Sequence, residues 1–149
     1  MTAAALYTQV VLEHSRAPHH FGRLDDHTHA ADGANPLCGD TLRCELRSSD
    51  GRIEALRFSG AACAVATATA SMLGDIAHGM PAAQVAAIEQ RFVRLIEGEV
   101  EGDAELADLN AMQALARHPS RRKCALLPFA TLRAALAGTA TATTERSPG

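Results

Sequence analysis

A chain of 149 residues with a formal net charge of −3 is the size of one globular domain and has no overall basic character for binding nucleic acid. No stretch reaches the roughly 18 to 20 apolar residues of a membrane span, and Glu13, His14 and Arg16 end the first apolar segment without a signal-peptide pattern. These features predict a cytoplasmic protein that partners neither nucleic acid nor membrane, whose four cysteines are thiols or metal ligands rather than disulfides.

Only 3% of residues are aromatic, so the core must be built from Ala, Leu, Val and Ile. From Thr2 to Arg16, Leu6, Val10, Val11 and His14 recur at helical spacing, which predicts an amphipathic helix with Thr2 as N-cap and Pro18 closing it. Residues 17–35 carry Pro18, His19, His20, His27 and His29 with little periodicity and read as a mobile loop with a candidate short strand at 28–33. A pattern of period two follows: Leu42, Cys44 and Leu46 face one side, and Arg43, Glu45 and Arg47 face the solvent. Ser49-Asp50-Gly51 is hairpin-turn chemistry, and Arg52 to Phe58 is the return strand with Leu56 and Phe58 inward.

The Ala-rich segment 64–78 should be a closely packed helix stopped by Gly79. Pro81 opens the next helix, whose buried face is Val85, Ile88, Phe92 and Leu95 or Ile96. Asp103 caps a third, with Leu106, Leu109, Met112 and Leu115 inward, ended by His118-Pro119. The last helix should begin near Cys124 and end before Gly138. Pro128 would then lie in its first turn, which puts Cys124 at or beside the N-cap. The fold class is α+β, a small antiparallel sheet (the hairpin plus the candidate third strand) packed against about five helices. Residues 1–138 form one domain, and 139–149 read as a disordered tail.

The chain is organised around Asn35-Pro36-Leu37-Cys38-Gly39-Asp40, a tight turn presenting a thiol and a carboxylate two residues apart. A thiolate and a carboxylate aimed at one point repel, so a cation or a proton must share the place. Cys63 and Cys124 fall at predicted helix N-termini, where the helix dipole and free N–H groups favour the thiolate. Cys38, Asp40, Cys63 and Cys124 together make a Cys3Asp set that can fill tetrahedral zinc. Three thiolates and a carboxylate over-neutralise a dication, and Arg121, Arg122 and Lys123 could offset the excess. The plainer alternatives are two small cysteines buried at helix ends and a solvated basic run. Cys44 alternates with Leu42 and Leu46 and is assigned to the core. His14 reads as a packed histidine, and His118 stands near the candidate site with a proton or ligand role conceivable.

The NPxCGD turn, the Gly-x-x-Cys that opens an Ala/Ser-rich helix and the Lys-Cys before the last helix resemble the iron–sulfur cluster assembly scaffolds of the IscU/NifU N-terminal family. Glu13-His14 followed by Arg16-Ala17-Pro18 resembles that family's opening, and the likeness spans residues 6–137. Lys123-Cys124 in place of His-Cys, with Arg121 before it, and the long interval between Cys63 and Cys124 are similar to the SufU branch.

The resemblance implies a zinc site made by Cys38, Asp40, Cys63 and Cys124, with Arg121 and Lys123 supporting it. It also implies a sulfur relay in which Cys38 accepts persulfide sulfur from a SufS-like cysteine desulfurase and Asp40 helps hold and release the metal. Downstream partners would be apo iron–sulfur proteins or other assembly factors. The alternatives are a scaffold on which a transient [2Fe–2S] cluster or iron is assembled, and a domain whose zinc only supports folding.

Overall fold

A computed structural model describes residues 6–144. Its strands are β1 (His29–Asn35), β2 (Asp40–Ser49), β3 (Arg52–Ser59) and β4 (Thr141–Thr143), and its α-helices are α1 (Gln9–Arg16), α2 (Ala64–Ala77), α3 (Val85–Ile96) and α4 (Arg122–Ala137). The sheet order is β3-β2-β1-β4. β2 pairs antiparallel with both neighbours, while β4 lies parallel to β1. The fold is α+β as expected, with a mixed sheet in place of a purely antiparallel one. Among the described residues no helix is long and apolar enough to cross a membrane.

The β2–β3 hairpin turns through Asp50 and Gly51, both at positive φ (53° and 76°), as a two-residue connection that matches the strand twist requires. Leu42, Cys44, Leu46, Leu56 and Phe58 point into the core. Glu45 departs from the expected pattern: it is buried on the other face. Leu24 N–H and the Arg23 and Arg43 guanidiniums donate to its carboxylate and hold it at about 2, a charge that burial alone would disfavour. The segment expected to be a mobile loop thus lies against the sheet as the cover of a buried ion-pair network.

The candidate strand at 28–33 is β1, extended to Asn35. Asn35 pairs with Asp40 across the sheet, so the NPxCGD turn is the loop of a second hairpin. α2 is apolar nearly all round and buried along most of its length, as a central helix must be. α1 and α4 pack against it, and α4 also crosses β1 and β2. Phe92 of α3 and Phe129 of α4 stack with ring centres 5.0 Å apart.

Four further sequence expectations are corrected. The first helix starts at Gln9, capped by Thr8, whose hydroxyl accepts from Val11 N–H; Thr2 lies outside the described residues. Residues 104–117 form a 3-10 segment rather than an α-helix, broken at Ala107 (φ 46°, ψ −127°). Leu106, Leu109, Met112 and Leu115 are buried at a strict spacing of three, the period of a 3-10 turn. Asn110 stabilises the break by donating to the carbonyls of Asp103 and Ala107. Pro128 lies inside α4, because helical turns begin at Pro119 and α4 itself at Arg122. Of the disordered tail expected at 139–149, residues 141–143 instead return to the sheet as β4, since the β1 edge offers free backbone groups, and Thr144 N–H still bonds Ala34, while 145–149 lie outside the described residues.

Candidate functional site

Three separate pieces of backbone meet at the Cys38 end of the sheet. The hairpin loop is closed by the Asn35 carbonyl, which accepts from both Cys38 N–H (3.1 Å) and Gly39 N–H (2.9 Å). Gly39 takes a positive φ of 72°, the conformation that lets the chain re-enter β2 at Asp40. The second piece is the N-terminus of α2, where Cys63 is the N-cap residue. Its backbone N–H donates to Asp40 Oδ1 at 2.8 Å, so the carboxylate ties loop to helix. The third is the first turn of α4, which carries Cys124. Pro128 has no N–H to give the Cys124 carbonyl, so the helix ladder is interrupted beneath this cysteine.

Cys38, Asp40 and Cys124 offer ligand atoms that all lie within 4.8 Å of one another. The Cys38 and Cys124 sulfurs are 3.5 Å apart. Cys38 is exposed, Cys63 half-buried and Cys124 buried. Asp40 is 4% exposed, and its Oδ2 is buried without a hydrogen-bond partner. Cys63 stands just outside the tight group of three but is linked to it chemically. Side-chain hydrogen bonding with Cys124 is the main influence holding its thiol down to about 7; Val65 and Ala66 N–H assist, while burial and the Asp40 charge oppose. Cys124 is displaced upward, first by serving Cys63 as the protonated partner, then by burial and by Cys38. The two thiols therefore titrate together, with Cys63 favoured as the thiolate and Cys124 as the partner that keeps its proton.

Asn35 was quoted in the turn but given no role by sequence reasoning. It is fully buried, its Nδ2 faces the Cys124 sulfur at 3.8 Å and its Oδ1 has no partner. The signal was an Asn directly before a turn proline, a residue whose side chain commonly bonds nearby groups. Arg121 is exposed at the N-cap of α4 and Lys123 is half-buried next to Cys124. Arg122, expected to offset the thiolates with them, instead donates to the carbonyls of Leu115 (3.1 Å) and Ala116 (2.8 Å) and closes the end of the 3-10 segment. His118 lines a cavity of about 380 Å³ with Thr8, Asn110 and Arg117, outside the thiol group. Cys44 is fully buried and pushed up to about 12 by desolvation, a core thiol as expected.

The sequence matches the model of the NifU-like N terminal domain over residues 6–125. The chain belongs to that family. Within this NifU-like group it is 33% identical over 138 residues to the iron–sulfur cluster assembly scaffold protein IscU of Streptococcus pyogenes, covering 92% of this chain and 86% of that protein. It is 30% identical over 128 residues to the zinc-dependent sulfurtransferase SufU of Bacillus subtilis, covering 85% and 86%. The NifU-like fold is shared with a putative iron–sulfur cluster assembly scaffold protein of the SUF system from Fervidobacterium islandicum, at a TM-score of 0.83 and 21% identity over 91% of this chain and 99% of that one.

Proposed function

We propose that this chain is a zinc-bearing sulfur acceptor in iron–sulfur cluster assembly, receiving persulfide sulfur on Cys38 from a cysteine desulfurase. The observation that carries it is the convergence of Cys38, Asp40 and Cys124 within 4.8 Å, with Cys63 coupled to Cys124 and a buried Asp40 oxygen lacking any partner. A buried carboxylate oxygen without a donor is costly, and a cation is what such an oxygen awaits. The donor set fits zinc: three sulfurs and one carboxylate, with Cys63 joining the group of three through its contact with Cys124. Its residence there would keep the sulfurs as thiolates at neutral pH.

The chain's own residues supply the rest. Cys38 sits on an exposed loop beside Leu37, itself 73% exposed, so a partner's persulfide can reach this sulfur while Cys124 stays covered. The Cys38 thiolate attacks the terminal sulfur of the desulfurase persulfide; a new S–S bond forms on Cys38, the old one breaks, and the desulfurase cysteine leaves as thiolate with no net redox change. Asp40, anchored to the Cys63 N–H through Oδ1, keeps Oδ2 for the metal. Arg121 and Lys123 flank the site with positive charge. Passage of the sulfur onward to apo iron–sulfur proteins or other assembly factors, in the cytoplasm, completes the reading. The name and activity of the Bacillus subtilis relative support it.

The test is mass spectrometry of the full chain after incubation with desulfurase and cysteine. The chain should gain sulfur on Cys38, and Cys38→Ala should neither gain it nor stimulate sulfide release. Equal stimulation by Cys38→Ala overturns the proposal. The scaffold names of relatives such as the Streptococcus pyogenes protein support a second reading, in which a [2Fe–2S] cluster is cargo on the same residues. Anaerobic reconstitution without cluster absorption, or without transfer to an apo-acceptor, would remove it. In the third, purely structural reading, a chelator unfolds the chain and no desulfurase responds to it.

A further inference from the structure

A second group of ligating side chains lies where the end of α1 and the following loop meet the C-terminal half of α2. Asp75 is twelve positions along α2 from Cys63, or roughly 18 Å at about 1.5 Å per residue. His14, His19 and Asp75 each place a ligand atom within 4.8 Å of the others. We propose that these three residues form a separate binding site for a borderline divalent cation of the zinc class, independent of the thiol site.

The surroundings are arranged for ligation. His14 is buried, and its Nε2 lies 3.0 Å from Asp108 Oδ2. An ionised carboxylate only accepts, so in the neutral ring Nε2 carries the proton and Nδ1 turns its lone pair inward, the carboxylate–histidine arrangement that orients imidazole ligands. That lone pair meets the Ser71 hydroxyl at 2.6 Å, and the hydroxyl in turn accepts from His19 N–H at 2.7 Å. Ser71 thereby holds the two histidine-bearing segments together, and the His14 and His19 ring centres are 4.7 Å apart. His19 Nδ1 lies 2.8 Å from Asp75 Oδ2, a contact bridged by one proton whose place a cation can take. The inner ligand is fixed, whereas the His19 and Asp75 side chains are 53% and 39% exposed, which leaves an entry path from solvent.

The next residue contributes from outside the set. His20 holds a positive φ of 57°, uncommon for a non-glycine residue, and thereby sets its Nε2 3.0 Å from Asp75 Oδ1. The absent side chain of Gly74 makes that placement possible, since a Cβ there would meet the His20 ring at 3.0–3.2 Å. The Asp75 carboxylate is thus oriented from both sides, with His20 positioning it. Two imidazoles and one carboxylate, with solvent completing the shell, suit zinc and its neighbours better than calcium or magnesium, which take oxygen.

The test uses the full chain already carrying one equivalent of zinc, titrated calorimetrically with further Zn²⁺ at pH 7.5. A second equivalent should bind, and binding should weaken at least tenfold in both His19→Ala and Asp75→Asn, which alter exposed side chains and leave the buried His14 in place. Circular dichroism checks that both variants fold. In a Cys38→Ser/Cys63→Ser/Cys124→Ser chain this equivalent should persist, which separates its failure from failure of the thiol site. No second equivalent, or an equivalent of unchanged affinity in His19→Ala and Asp75→Asn, overturns the proposal.

Discussion

Cys44 and Cys63 are one residue type in two regions of the same small protein, and their chemistry is opposite. Cys44 is enclosed by the apolar side of the sheet, where nothing stabilises a negative sulfur, and its thiol is pushed up to about 12. Cys63 stands at the mouth of α2 with a thiol partner in Cys124 and free N–H groups from Val65 and Ala66, and is held down to about 7. Burial separates them in part, Cys44 being fully covered and Cys63 half-buried. The rest of the difference is that another sulfur and backbone donors face Cys63.

The largest expected effect comes from alkylation of the metal-free chain near pH 7.5. Thiolate populations of Cys63 and Cys44 differ by about 10⁴-fold, of which the greater nucleophilicity of the more basic thiolate returns about 10². Cys63 should therefore label at least about 100-fold faster by peptide mass spectrometry, and comparable rates in the folded chain would break the contrast. Next, Cys124→Ala removes the main influence that lowers Cys63. The pH midpoint of Cys63 labelling should rise from about 7 toward the ordinary thiol value of about 8.5, cutting its rate at pH 7 severalfold.

A stability comparison sharpens the same distinction. Cys44→Ser puts a hydroxyl into the apolar core and should cost about 1–3 kcal/mol in urea unfolding of the metal-free chain. Cys38→Ser, on the exposed loop, should change it by no more than about 0.5 kcal/mol. The smallest effect concerns Asp40, whose negative charge opposes the Cys63 thiolate. Asp40→Asn keeps the acceptor for Cys63 N–H but removes that charge, so the Cys63 labelling midpoint should fall by less than about one unit. A rise would show that the carboxylate acts on Cys63 through structure rather than charge.

Much of this was legible in the residues themselves. Alternation placed Leu42, Cys44 and Leu46 inward, and the Ala-rich run placed Cys63 at a helix N-terminus, where it is the N-cap residue of α2. Spacing predicted the buried faces of α3 and of the 104–117 segment, but the strict interval of three in Leu106-Leu109-Met112-Leu115 belongs to a 3-10 winding, which an α-helical reading overlooked. Glu45 looked solvent-facing because its cover, Arg23 and Leu24, comes from a segment without periodicity. His19 of that segment found its partners, Ser71 and Asp75, more than fifty positions away, and no local pattern announces such a pairing. Pro128 misled because helical turns start earlier than its presence suggests, at Pro119.

The central claim, that the three cysteines and Asp40 serve one zinc ion, is tested most directly by zinc-edge X-ray absorption of the full chain carrying one equivalent of metal. Three sulfur neighbours at about 2.3 Å and one oxygen at about 2.0–2.2 Å are predicted. A shell made only of nitrogen and oxygen, unchanged in Cys38→Ser and Cys124→Ser, would contradict it.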